Sequence, residues 1–152
     1  MTKKRLIPIL KLIPMLLVMV VIFSFSAMEG DDSANTSGLF LKALQIIAKE
    51  VTHKGFTKEA LDNIHLVIRK CAHFTEYACL GAAIMYGLFH KFKEWKFKFL
   101  YPELIAFLYA CTDELHQYYV PGRYGTFSDV IIDSCGAITG IFIYYFFWKK
   151  KL

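Results

Sequence analysis

Four stretches of the chain are apolar over a helix's length. Leu6–Ala27 is interrupted only by Lys11 and carries Pro8 and Pro14 in its early turns; Cys71–Phe89, Phe99–Tyr118 and Val130–Trp148 follow. A helix crossing a bilayer needs about 20 mostly apolar residues, so the pattern predicts four transmembrane helices in one all-α membrane domain covering 1–152. Between the first two stretches lies an outer segment, 37–68. In it Phe40, Ala43, Leu44, Ile47 and Val51 fall on one helical face, with Lys42, Gln45, Lys49 and Glu50 between them. That spacing predicts an amphipathic helix lying on the membrane surface, and a lid packed over the bundle would have the same pattern. Thr57 stands where a cap belongs, ahead of Leu61, Ile64, His65 and Ile68, which lead into the second span. Ser24, Ser26 and Ala27 also fit the end of a secretory signal, and cleavage there would leave the orientation of the other spans unchanged.

Composition agrees with a chain solvated by lipid. It is 56% hydrophobic with a mean hydropathy of +0.40, against roughly 45–50% apolar for an average soluble domain. A separate soluble catalytic domain is excluded, because the longest stretch free of a spanning run is ~40 residues, which rarely sustain a core. The formal charge of +5 suggests a nucleic-acid binder until the positions are read. Lys3, Lys4 and Arg5, then Lys91, Lys93, Lys96 and Lys98, then Lys149, Lys150 and Lys151 all fall on one side of a four-span chain. By the positive-inside rule that side is the cytoplasm and holds both termini. Trp95, Phe97, Tyr101 and Tyr144–Trp148 form an aromatic belt there, with Tyr118, Tyr119 and Tyr124 forming one outside. No base-stacking platform accompanies the basic residues, so nucleic acid is not an expected partner. Cys71, Cys79, Cys111 and Cys135 form no C-x-x-C pair and sit inside apolar runs, as small buried hydrophobes.

The polar residues inside the spans carry the chemistry, since a charge there costs roughly 2.5–3.5 kcal/mol on insertion scales. Arg69, His73 and Glu76 form one stripe of the second helix, with Lys70 beside it. Asp113, His116 and Gln117 form one stripe of the third, with Glu114 about 100° away. Arg123 follows in the outer loop, after the Pro121–Gly122 turn signal. Asp129 and Asp133 share a face of the fourth helix with Gly136 and Gly140, whose small-xxx-small spacing allows close helix approach. At 1.5 Å per residue, Glu76 lies about 10 Å below Arg69 and Asp113 about 8 Å below Tyr118, so the stripes meet at one outer-leaflet depth. A structural ion-pair network that fixes helix register would use the same residues.

The donor set allows several chemistries. Arg69 and Arg123 suit a phosphate or carboxylate, which a guanidinium grips bidentately. Glu76, Asp113 and His116 suit general acid–base work in a hydrolase or group transferase. His73, Glu76, Asp113 and His116 are also competent zinc ligands. No H-E-x-x-H pair is present, however, and neither histidine has a second at metal spacing, so no metal or other cofactor is expected.

Two blocks, RKCAHFTEYACLG at Arg69–Gly81 and DELHQYYVPGRYGTFSDVIIDSCG at Asp113–Gly136, resemble the VanZ-like family of bacterial membrane proteins. They cover about a quarter of the chain, and the four-span layout fits the rest. The resemblance implies a multi-pass cell-membrane protein linked to teicoplanin-type glycopeptide resistance or another cell-envelope role. Its motif carries over to Arg69, Lys70, His73, Glu76, Asp113, Glu114, His116, Gln117, Arg123, Asp129 and Asp133 as site residues. The outer-leaflet position of these residues adds the expected partner, an anionic membrane lipid or lipid-linked cell-wall intermediate.

Overall fold

Thr57 opens the longest helix: its extended backbone and its Oγ1, which accepts the Ala60 N–H at 3.2 Å, satisfy a donor the first turn leaves free. The computed structural model describes residues 10–28, 43, 45–50 and 55–149. Four long helices follow one another: α1 (Ile13–Ser26), α2 (Lys58–Leu88), α3 (Trp95–Tyr118) and α4 (Phe127–Lys149). No strand occurs among the described residues.

One boundary differs from the one the pattern predicts. The first apolar run is expected to be helical from Leu6, but α1 begins at Ile13, with Pro14 in its first turn. Proline has no N–H to continue a helix from upstream and is favoured at a helix start; residues 6–9 lie outside the described residues. The end of the outer segment runs on into the second span, as the Thr57 cap and the apolar residues after it predict. Residues 45–50 are helical, the chain turns at Gly55 with φ +67°, and α2 then runs unbroken for 31 residues through Cys71. At 1.5 Å per residue α2 is about 46 Å long, more than a hydrocarbon core of about 30 Å. Gln45 Nε2 donates to the Phe56 carbonyl at 3.4 Å and ties the two pieces together. Of the apolar face expected there, Phe40, Leu44 and Val51 lie outside the described residues, while Ala43 and Ile47 are exposed.

Phe127–Trp148, 22 residues, is long and apolar enough to cross a membrane, and α1 is a shorter apolar helix. In α2 and α3 the polar stripes dilute the apolar character. The exterior is nonetheless oily: Leu17, Val20, Leu108, Phe142 and Phe147 are all more than half exposed. Apolar exposure of that extent marks a surface that meets lipid or protein. Cys71, Cys79 and Cys135 belong to this exterior and Cys111 is half-buried, a correction to their expected burial. They lie on faces their helices turn away from the bundle axis.

Inside, Ile22, Tyr77, Leu80, Ile84, Ala106, Ala110, Val130 and Ala137 form the main core. A second cluster joins Met85, Phe89 and Ile141 to Phe99, Tyr144, Tyr145 and Trp148 at the basic end, where Lys98 Nζ lies 4.4 Å from the Phe89 ring centre. The packing of α2 on α4 is the most extensive in the bundle. A Cβ at Gly136 would run into the Phe74 carbonyl, and one at Gly140 into the Ala78 carbonyl. Their missing side chains let the two backbones approach, and that approach sets the spacing of the site.

Candidate functional site

The middle of α2, the C-terminal turns of α3 and the first turns of α4 bring their polar residues together. His73 from α2, Asp113 and Glu114 from α3 and Asp133 from α4 each offer a donor atom, and the four atoms lie within 4.8 Å of one another. Their residues are 9%, 3%, 6% and 0% exposed, in that order. One oxygen of each α3 carboxylate is occupied: Asp113 Oδ2 accepts from Gln117 Nε2 at 3.2 Å, and Glu114 Oε2 accepts the Thr126 backbone N–H at 2.8 Å. The facing atoms are not. Asp113 Oδ1, Glu114 Oε1, both Asp133 oxygens and His73 Nδ1 are buried without a hydrogen-bond partner among the described residues. His73 Nδ1 and Asp133 Oδ1 stand 3.6 Å apart. Two carboxylates at this range, both ionised, repel by roughly 3–4 kcal/mol at an effective dielectric constant of about 20.

Above the cluster, Gln117 links it to two arginines. Its Oε1 accepts from Arg69 Nη2 at 3.1 Å and from Arg123 Nη2 at 3.2 Å. Arg123 Nη1 also donates to the Phe25 and Met28 carbonyls at 3.3 and 3.4 Å, at and just beyond the end of α1. Neither guanidinium has a carboxylate within 4.0 Å among the described residues. Burial, then the nearby Arg69 charge, pushes the Arg123 pKa down from its ordinary value, although a guanidinium stays charged in a protein. Lys70 and Asp129 form a separate, outlying pair at 2.7 Å, with side chains 34% and 15% exposed.

Helical geometry explains which expected residues stand apart. His116 is three positions from Asp113, about 60° round the axis, and its ring stacks on Phe23 of α1 with centres 4.6 Å apart. Glu76 is half-buried and borders an apolar groove with Leu17, Val18, Val21 and Ile22 of α1, near enough to feel the charges of His73, Asp113 and Asp133. The expected acid–base trio of Glu76, Asp113 and His116 is therefore divided, with only Asp113 in the cluster. Glu114, about 100° the other way, is drawn in by the Thr126 N–H. Tyr77 was not expected at the site. It is fully buried, its hydroxyl has no partner among the described residues, and the charges of Asp113 and Asp133 act on it. Its position four residues after His73, on the same face, was the available signal.

No curated protein and no solved structure matches the chain. The model of one family, VanZ/LLP1, matches residues 11–148, which takes in α1, the buried cluster, the arginine pair and nearly all of α4. With nearly its whole length matched, this chain belongs to the VanZ/LLP1 family.

Proposed function

We propose that this protein is a four-span, multi-pass protein of the bacterial cell membrane, with both termini cytoplasmic. Its polar site, at the outer leaflet, engages the anionic group of a lipid or lipid-linked cell-wall precursor. The observation that carries this reading is the arginine pair: Arg69 and Arg123 converge on one amide oxygen, and no carboxylate pairs with either among the described residues. Two adjacent guanidinium groups held by a neutral acceptor favour an anion that neutralises both. Arg69 is the half-buried member and so the one able to reach a ligand, while Arg123 is anchored to α1. The groove lined by Val67, Cys71, Phe74 and Ile132 beside Lys70 suits an acyl or prenyl chain next to a charged headgroup.

Family membership supports a cell-envelope role, with glycopeptide resistance as its specific form. Expression in a teicoplanin-sensitive Gram-positive host tests it. Lower susceptibility that Arg69→Ala abolishes supports the reading, and unchanged susceptibility with normal membrane expression removes the resistance role. A second reading, a hydrolase or group transferase, is favoured by the buried cluster. Its reacting groups would be His73, Asp113, Glu114 and Asp133, with Glu76 at the edge.

A further inference from the structure

Three carboxylates and an imidazole converge from three helices, and nothing in the arginine pair explains the atoms they turn toward one another. The second oxygens of Asp113 and Glu114 are held by Gln117 and by the Thr126 backbone. Holding one oxygen from outside while the other points inward is how ligating carboxylates are oriented in metal sites. Asp133 is the sharper case. It is fully buried and neither oxygen accepts a hydrogen bond among the described residues; the ion-pair contact it makes is with His73 at 3.6 Å. A buried carboxylate is ordinarily hydrogen-bonded, paired or bound to a metal. A proton on His73 would supply a single positive charge to three acids, and the two arginines make no ion pair with them.

We propose that His73, Asp113, Glu114 and Asp133 bind one divalent transition-metal ion, zinc or manganese. The donor set points to this class. An imidazole with carboxylates suits zinc, iron or manganese, whereas soft copper(I) seeks thiolates and calcium takes about six to eight oxygens. The cysteines lie outside the cluster, with Cys71, Cys79 and Cys135 exposed. Metal spacing along the sequence could not reveal the site, because Asp113 and Glu114 are the one pair of ligands that share a helix. This inference goes beyond the anion-binding reading and stands or falls without it.

The test uses the full chain purified in mild detergent, stripped with a chelator and then given zinc chloride or manganese chloride alone. Bound metal is read by mass spectrometry, and the thermal unfolding midpoint is followed in parallel. We expect about one equivalent per chain and a higher midpoint, since a ligand that binds only the folded state stabilises it. Asp133→Asn and Glu114→Gln, checked for folding by circular dichroism, should lower affinity at least about tenfold. Glu103→Gln, which removes a carboxylate about 15 Å away along α3, should leave binding unchanged. A cobalt-substituted wild-type protein needs no variant and should show d–d bands without thiolate charge transfer. Negligible binding of both ions, retention by folded Asp133→Asn and Glu114→Gln, or a thiolate band would each overturn the proposal.

Discussion

Gln117 and Asp113, one turn apart on α3, are joined by a hydrogen bond from Nε2 to Oδ2 at 3.2 Å, while the Gln117 oxygen receives both arginines. The amide orientation is thereby fixed from both sides: its acceptor faces the cations and its donor faces the acid. A single neutral side chain, fully buried, couples the two halves of the site. Gln117→Leu should leave both guanidinium groups and the Asp113 carboxylate short of a partner. We expect a loss of about 1–3 kcal/mol, seen as a lower thermal midpoint in detergent. Gln117→Glu pairs with the arginines directly but sets a carboxylate oxygen against Asp113 Oδ2, so it should lower the midpoint too, and its folded fraction should bind anionic lipid more weakly than wild type.

Arg123 ties the outer loop to the end of α1 through the Phe25 and Met28 carbonyls. Lysine cannot reproduce a planar fork that reaches both α1 and Gln117. Arg123→Lys should therefore raise proteolytic cleavage near Ala27 and Met28. If the cleavage pattern of this variant equals that of wild type, the anchoring role fails.

The Lys70–Asp129 pair has the shortest ion-pair distance among the described residues, yet Lys70 is one-third exposed. Exposure and screening limit such a pair to about 0–1 kcal/mol. A double-mutant cycle on Lys70→Ala and Asp129→Ala should return a coupling within that range and leave the fold intact.

The glycines of α4 should be far less forgiving. Gly140→Val forces the helix away from the Ala78 carbonyl of α2 and Gly136→Val from that of Phe74. Because the same two helices carry His73 and Asp133, separation opens the cluster. We expect either valine variant to lose monodisperse folded protein on size-exclusion chromatography, with Ile138→Val, at an outward position of α4, as the tolerated control.

Much of this arrangement is legible in the sequence. Thr57 announced its helix by its capping chemistry, and the 3.6-residue period placed Arg69, His73, Asp113, Gln117 and Asp133 on stripes that meet. What periodicity cannot give is which neighbour a flanking residue finds. His116 shares the Asp113 stripe but lies on the side where α1 passes, and an aromatic ring there captures it. Glu114 is off the stripe, and a backbone N–H twelve residues later holds it in the cluster. The run of α2 through residues 58–70 into the second span is legible, because the Thr57 cap is followed by Leu61, Ile64, His65 and Ile68 at helical spacing.

Topology has its own test. In a background with Cys71, Cys79, Cys111 and Cys135 replaced by alanine, Tyr124→Cys should react with a membrane-impermeant maleimide on intact cells. Lys93→Cys should react only after lysis. Labelling of Lys93→Cys on intact cells would reverse the proposed orientation.

Binding of a polyprenyl phosphate to the purified protein in phosphatidylcholine nanodiscs, wild type against Arg69→Ala, bears most directly on the anion site. Saturable binding that falls at least about tenfold in the variant, as loss of a charge-assisted contact worth about 1.5–3 kcal/mol implies, is the expected result. Equal binding by the two folded proteins, or no binding by wild type above phosphatidylcholine alone, would contradict it.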